Sequence, residues 1–278
     1  DLLDGEVLLL ENLRFHAGEE ANDRDFAAAL AELADLYIND AFGAAHRAHA
    51  STAALPEIFE EKAAGLLMLE EIDQLGGLMR SPRAPFVAVV GGAKVSDKFE
   101  LLDSLTEHAS TLLVGGAMAY TFLAAKGQEV GRSRVETDKL EAAAALLERA
   151  AAGNTTIELP SDHIAAETFE ATAEPVEVET TDIPEGLMGL DIGKATRIRY
   201  AKVLAGAGSI LWNGPMGVFE WESFRAGTMA VAGAVADSAA HSVVGGGDSI
   251  AALALSGRKD DVTHVSTGGG AALEFLAG

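Results

Sequence analysis

The stretch SVVGGGDSIAALALSG, residues 242–257, decides how the rest of the chain is read. A short β-branched run ends in three glycines and an aspartate, and an alanine- and leucine-rich pattern with helical spacing follows at once. Glycine at a helix start costs backbone entropy and forgoes a capping side chain, so three in a row point to backbone that something else must approach. The same grammar recurs in PFVAVVGGAKVSDKFELLDSL (85–105), STLLVGGAMAYTFLAAKG (110–127) and THVSTGGGAALEFLAG (263–278). The apolar runs lack strict alternation, as strands buried on both faces do, and each is followed by a helix-like segment. The fold class this predicts is α/β with a parallel sheet. Ligands of such sheets bind beyond the carboxyl ends of the strands, where these glycines lie.

Upstream, EVLLLENLRF (6–15) and DLYINDAF (35–42) read as strands flanking NDRDFAAALAELA (22–34), a helix opened by Asn22 or Asp23. In EKAAGLLMLEEIDQLGGLMRSPRAP (61–85), Met68, Ile72, Leu75 and Met79 share one helical face, and Pro82 and Pro85 follow. One amphipathic helix joining two domains is expected, giving residues 1–58 to a first domain, 59–81 to the helix and 82–278 to a second domain. The acidic, threonine-rich TFEATAEPVEVETTDIPEGL (168–187), broken by Pro175 and Pro184, reads as a strand-and-loop excursion within the second.

Composition narrows the function classes. The 278 residues are 49% hydrophobic, enough for a sizeable core. With no cysteine, neither a disulfide framework nor a thiolate metal site is available. Forty-three acids against 20 Lys and Arg give a net charge of -23, which argues against general nucleic-acid binding. The acids are scattered over helix-like segments as solvated faces, the pattern of a halophile surface or of an ordinary acidic cytoplasmic protein. No apolar run approaches the roughly 20 residues of a membrane span, and no signal-like region opens the chain. A cytoplasmic protein without membrane or nucleic-acid partners is therefore expected.

Against so acidic a background, basic residues in glycine-rich loops carry information. Gly245, Gly246, Gly247 and Asp248 form either a tight strand-to-helix turn or a phosphate seat, in which bare N–H groups meet the anion and Asp248 holds magnesium beside it. Lys94 and Lys98 are four apart, so a helix starting near Val95 would aim both at one locus. Lysines at a helix start oppose the helix dipole, and a polyphosphate reverses that sign. Asn213-Gly214-Pro215 is a turn after a strand whose Asn could donate to phosphate, with Glu220 accepting from ribose. Gly115 and Gly116 leave room for a flat base or for tight helix–strand packing. His46, Arg47 and His49 crowd into NDAFGAAHRAHAS, and Arg14 ends its expected strand. A His-x-x-His metal pair is one reading; arginines facing a small anion are the better fit, because guanidinium pairs bidentately with carboxylate or phosphate. Gly268 to Gly270 form a second triple-glycine helix start, an anion seat or a hinge.

Seven motifs, LLENLRFHAGEE, NDAFGAAHRAHAST, VVGGAKVSDK, MGLDIG, WNGPMGVFE, GGGDS and HVSTGGGAALEFL, occur in an order and spacing that resembles phosphoglycerate kinase over residues 2–278. The resemblance implies a two-domain, Rossmann-like architecture and a monomer that transfers a phosphoryl group reversibly between ATP and 3-phosphoglycerate, with magnesium. It implies that Arg14 and Arg47, with His46 beside them, bind phosphoglycerate, joined by Gly268, Gly269 and Gly270 from the second domain. Lys94 and Lys98 are implied to bind nucleotide phosphates, and Lys98, Arg47 and Gly247 to act in transfer. Gly91, Gly115, Gly116 and Leu190 are implied to line the adenosine pocket, Glu220 to hold ribose, and Asn213 and Pro215 to lie near the phosphates. Gly245, Gly246, Gly247 and Ser249 are implied to cradle the phosphates, and Asp248 to bind magnesium. The family's early D-x-N-x-P-like and H-x-G-R motifs do not occur in these residues. An incomplete first domain, a missing extreme C-terminus and nucleotide binding without turnover are therefore expected. A non-catalytic nucleotide-binding protein of the same fold is the alternative; a dehydrogenase is disfavoured by the paired lysines and the lack of G-x-G-x-x-G.

Overall fold

In the computed structural model, which describes residues 2–278, the chain divides into two compact units, residues 2–70 and Glu71–Gly278. The first contains α1 (Ala17–Glu20), α2 (Arg24–Ala31), β1 (Tyr37–Asn39), α3 (Leu55–Ile58) and β2 (Lys62–Ala64), and α4 (Leu66–Arg80) crosses the division. β1 and β2 pair in parallel, and Ala27, Ala50 and Ala54 form a small core with Phe26 and Leu55. Asp23 caps α2 by accepting from the Phe26 N–H at 2.8 Å. Asn22 instead takes a left-handed backbone, φ 53°, and its side chain accepts from the Ala54 N–H.

Two expectations change here. Residues 6–10 form no strand, and Leu13–Phe15 make a 3-10 turn, so Arg14 sits in a turn and not at a strand end. A strand needs a neighbour for its N–H and C=O groups, and among the described residues none pairs with this run. Val7 and Leu9 are 91% and 92% exposed. The helix expected from residue 59 begins at Leu66, after β2. Asp40 sets that start: its Oδ1 accepts from the Met68 N–H at 3.0 Å, and a Cβ on Gly65 would lie 2.3 Å from its carboxylate. Beyond Leu66 the expected face holds, with Met68, Leu75 and Leu78 buried and Ile72 and Met79 half-buried.

The second unit is built on a parallel sheet. Its strands are β3 (Phe86–Val90), β4 (Thr111–Val114), β5 (Thr156–Glu158), β9 (Ser209–Asn213), β10 (His241–Gly245) and β11 (His264–Val265), in the order β11-β10-β9-β3-β4-β5. Between β5 and β9, the strands β6 (His163–Ala166), β7 (Val176–Val178) and β8 (Met188–Ile192) form the excursion, a separate antiparallel sheet ordered β7-β6-β8. The helices are α5 (Phe99–His108), α6 (Met118–Ala125), α7 (Leu140–Ala152), α8 (Lys194–Ala205), α9 (Ala226–Ala236), α10 (Gly247–Leu255) and α11 (Gly270–Ala277). Every residue of β3 and β9 is buried, which explains their unbroken apolar reading. Val87, Val89, Ile210 and Trp212 pack against Tyr200 and Leu204 of α8 and Val231 and Val235 of α9. Each such side chain contributes about 1.5–3 kcal/mol on burial.

From β3 the chain runs outward to β4 and β5, returns to β9 beside β3, and runs outward the other way to β10 and β11. The order therefore reverses between β3 and β9, and the crevice beyond their carboxyl ends is where an open parallel sheet takes its ligand. Among the described residues no helix is long and apolar enough to cross a membrane.

Candidate active site

At the reversal point, the ends of β3 and β9 are closed by glycine. The Gly91 N–H donates to Asn213 O at 3.0 Å. Gly214 has φ 102°, and a Cβ there would meet Gly91 O at 2.1 Å. A Cβ on Gly91 would meet Pro215 O at 2.0 Å, and one on Gly115 would meet Met216 Sδ at 2.4 Å. Gly91 and Gly115 are thus buried packing glycines that admit the 214–216 loop, and neither lines the cavity beside them. Gly116, with φ 67°, does line it.

Lys98 occupies the centre of this closure. Its Nζ donates to Asn213 Oδ1 at 2.6 Å, Gly91 O at 2.7 Å and Asn213 O at 2.9 Å. Burial lowers its pKa to about 8, against the opposing pull of Asp248 and Asp97. The helix expected near Val95 starts at Phe99 after a 3-10 turn over Ser96–Lys98, so Lys94 and Lys98 are not one α-helical turn apart. Lys94 is exposed, and its charge acts on Glu136. Glu136 holds the turn: its carboxylate accepts from the Val95 N–H at 2.5 Å, Ser96 Oγ at 2.6 Å and the Ser96 N–H at 3.1 Å. Burial would raise its pKa, but the hydrogen bonds from Ser96 and Val95 and the Lys94 charge bring it down. No local spacing distinguishes Glu136 among 43 acids, so sequence reading passes over it.

The next strand end supplies the first triple-glycine turn. Gly246 has φ 87°, α10 opens at Gly247, and no side chain caps the helix start. Its first N–H groups and positive dipole end are available to an anion. Asp248 is exposed there. Ser249, implied to cradle phosphate, is wholly buried and accepts from the Gly214 N–H at 2.5 Å, so it ties α10 to the Asn213 turn. Asn213 is 2% exposed and commits its Oδ1 to Lys98; its Nδ2 faces Gly246, whose added Cβ would lie 3.2 Å away.

A cavity of about 420 Å³ opens beside these turns. It brings together Gly116, Leu190, Pro215, Glu220 and Asp248 from the expected set. Its lining also includes Phe169, Met188 and Val218, together with Arg132 and Arg134, none of them foreseen. Behind Leu190, buried Asp191 accepts from the Gly227 N–H at 2.6 Å and the Ile192 N–H at 2.9 Å. Burial pushes its pKa up to about 7, with those two donors and Arg197 opposing. A second cavity, about 490 Å³, is lined by Ser96, Asp97, Lys98, Gly270 and Leu273 among others, so Lys98 and the second glycine turn share one space.

That second turn has Gly269 at φ 53°, with α11 beginning at Gly270. Glu71, only 1% exposed, accepts from the Thr267 N–H at 2.6 Å, Thr267 Oγ1 at 2.8 Å and His264 Nε2 at 3.1 Å. In the first unit, Arg14 and Arg47 are exposed and neither guanidinium has a side-chain partner among the described residues; His46 is half-buried. His49 Nδ1 lies 3.8 Å from Glu19 Oε1. Among the described residues, no three His, Cys, Asp or Glu side chains are grouped as metal ligands, so the His46–His49 pair lacks a third.

A family model described as Phosphoglycerate kinase matches residues 1–278. The chain belongs to the phosphoglycerate kinase family. A phosphoglycerate kinase of Anaeromyxobacter dehalogenans (strain 2CP-C) is 57% identical over 278 residues, covering all of this chain and 70% of that one. That of Acidobacterium capsulatum is 53% identical over 279 residues, covering all of this chain and 69% of its own length. Among solved structures, phosphoglycerate kinase from Coxiella burnetii superposes with a TM-score of 0.90 at 44% identity, over 96% of this chain and 69% of that one. The Pyrococcus horikoshii OT3 enzyme gives 0.85 at 38% identity, over 98% of this chain and 70% of that one. The parallel α/β fold is thus family architecture, and the chain is of an enzyme family that transfers phosphoryl groups.

Proposed function

We propose that the Glu71–Gly278 unit holds Mg-ATP or Mg-ADP and serves the reversible transfer of a phosphoryl group between ATP and the carboxylate of 3-phosphoglycerate. The observation that carries this is the half-buried Lys98 ammonium caged at the ends of β3 and β9 near the uncapped start of α10. Phosphoryl transfer asks little covalent chemistry of a protein and much positioning and charge neutralisation, which suits this arrangement. The base lies against Gly116 and Leu190, Glu220 accepts from ribose, and the N–H groups of Gly245, Gly246 and Gly247 meet the phosphates. Lys98, whose three N–H groups are taken by Asn213 and Gly91 in this structure, turns from them to the phosphoryl group in flight, and Lys94 contacts the phosphate chain from its exposed loop.

One exposed carboxylate beside a phosphate seat is a donor set that suits Mg²⁺, which takes one or two carboxylates and completes its shell with phosphates and water. Asp248 would hold it, and the ion would neutralise charge on the phosphates. The acceptor, 3-phosphoglycerate, is assigned to Arg14, Arg47 and His46 of the first unit and to Gly268, Gly269 and Gly270 of the second. We read the protein as a cytoplasmic monomer without nucleic-acid or membrane partners; sedimentation at the mass of one chain checks the oligomeric state.

Calorimetry with Mg-ADP tests the phosphate seat. Lys98→Ala and Asp248→Ala each remove a charge-assisted contact of about 1.5–3 kcal/mol, so affinity falls roughly ten- to a hundredfold. Unchanged affinity in both variants, with folding intact, overturns the assignment. We also read the acidic surface as an adaptation to high salt. Self-repulsion at a charge of -23 is screened over about 10 Å at 0.1 M salt and about 3 Å at 1 M. The melting midpoint should rise between these concentrations, and a flat or falling midpoint returns the surface to ordinary cytoplasmic acidity.

A further inference from the structure

Two cations line the 420 Å³ cavity of a chain whose net charge is -23, Arg132 and Arg134. Neither belongs to the phosphate seat. They ride on a segment stitched to the cavity wall: the Arg132 N–H donates to Leu187 O at 2.7 Å, and the Gly189 N–H donates to the buried Ser133 Oγ at 2.9 Å. Three residues beyond Ser133, the Glu136 N–H donates to Thr121 Oγ1 at 3.1 Å. Residue 134 is thereby held beside the wall made by Met188, Gly189 and Leu190.

The two guanidiniums differ in commitment. Arg132 Nη1 donates to Glu167 O at 3.0 Å. Arg134 has no hydrogen-bond or ion-pair partner among the described residues, and it is exposed, so its fork is free to meet a ligand. Among the described residues that line this cavity, Arg132 and Arg134 are the only ones whose side chains carry N–H donors. The remaining side chains are apolar, apart from the acceptors Glu220 and Asp248. A base edge held here therefore meets donors and no side-chain acceptor beyond two carboxylates, of which Glu220 is assigned to ribose and Asp248 to the phosphate end.

Guanidinium donates only, through a planar fork. A 6-oxopurine offers two adjacent acceptors, O6 and N7, which that fork engages in a bidentate way; adenine places an N6 donor beside N7 and leaves one arm opposed. We propose that Arg134 reads the base edge and biases this cavity toward 6-oxopurine nucleotides, so that GDP and IDP bind at least as tightly as ADP. The inference rests on the nucleotide reading of the cavity and adds the base class to it.

Calorimetry on the 278-residue chain with Mg-ADP, Mg-GDP and Mg-IDP decides it, using wild type, Arg134→Leu and Arg134→Lys. IDP carries O6 without the 2-amino group and isolates the contact at issue. Wild type should bind GDP and IDP no more weakly than ADP. Arg134→Leu should weaken GDP and IDP about tenfold and leave ADP within about twofold; Arg134→Lys should fall between, since a point ammonium cannot span O6 and N7. Equal weakening of all three nucleotides would place Arg134 on the phosphates, and an unchanged ratio in Arg134→Leu would remove it from the base; either outcome overturns the inference and leaves nucleotide binding standing. Wild type binding none of the three would instead overturn the nucleotide assignment and this inference with it. Melting midpoints confirm that the exposed-site variants remain folded.

Discussion

The turns Gly245–Gly247 and Gly268–Gly270 follow neighbouring parallel strands and each opens a helix, yet they are supported differently. In the first, a Cβ on Gly246 would lie 3.2 Å from Asn213 Nδ2 while one on Gly247 would meet nothing within 4 Å, and the Asn213-Gly214 turn behind it is fixed by Ser249 of α10 and by Lys98. At the second, Gly268 is buried and its N–H donates to Ser266 Oγ at 3.2 Å, a Cβ on Gly269 would meet nothing within 4 Å, and the buried carboxylate of Glu71 holds the preceding Thr267. A run of glycines therefore marks either a turn backed by a second glycine turn with no room for a Cβ, as at Gly214, or a turn held by side-chain acceptors, as Glu71 and Ser266 hold Thr267 and Gly268. Crowding gives a rigid seat for phosphate, and tethering gives a segment whose position depends on a few side chains, Glu71 chief among them.

Alanine substitution at Gly214, in the turn that backs the first seat, and at Gly269, in the second, is the sharpest way to break this contrast. Gly214→Ala adds a Cβ 2.1 Å from Gly91 O and 2.5 Å from Lys98 Nζ, at φ 102°. Strain and collision together should cost about 3–4 kcal/mol, lowering the melting midpoint by roughly 6–16 °C for a unit of this size. Gly269→Ala meets only the conformational penalty at φ 53°, so a loss nearer 1 kcal/mol, about 2–4 °C, is expected. Equal midpoints for the two variants would erase the distinction between crowded and tethered turns.

Next in size is the pH response of the crowded turn. Burial holds Lys98 at a pKa of about 8, below its ordinary 10.5. Between these values the unfolded chain binds the extra proton, so the stability of the free protein should rise with pH across that interval. Phosphate needs the ammonium, so Mg-ADP affinity should move the other way, falling by up to about tenfold per pH unit above about pH 8. Calorimetry from about pH 7 to about pH 9.5 should show that slope in wild type and none in Lys98→Met. A slope that survives in the variant would assign the titration to another group.

What was legible beforehand follows from the same physics. The four strand–glycine–helix units could be read because a strand buried on both faces leaves a continuous apolar run, and a helix leaves its period, within twenty residues of sequence. Residues 6–15 misled because a strand exists only with a neighbour, and nothing within the run says whether one is present. Lys94 and Lys98 are legible by type, but their four-residue spacing predicts an α-helical turn where the chain makes a 3-10 one. Glu71, Glu136 and Ser249 act on segments 35 to 196 residues away, across contacts that only the assembled sheet creates. Their residue types are ordinary, and their meaning lies wholly in whom they touch.

The smallest effect expected comes from the tether itself. Burial acts to raise the pKa of Glu71, and hydrogen bonds from His264, Ser266 and Thr267 outweigh it, so the carboxyl titrates below its ordinary range. A depressed carboxylate contributes stability that is present above the unfolded value and is lost as pH falls through the folded one. Glu71→Gln keeps one acceptor oxygen for Thr267 but replaces charge-assisted bonds with neutral ones, a difference of about 1 kcal/mol. The variant should therefore melt a few degrees below wild type near neutral pH, with the gap closing as the solution is taken toward about pH 4. Amide exchange should localise the change, with Thr267 and Gly268 losing protection while Val89 and Trp212 in the central strands keep theirs. A gap that persists undiminished into acid would mean that the carboxylate's charge is not what holds the second turn. Loss of protection at Trp212 would mean that Glu71 supports the central sheet as well as the second turn.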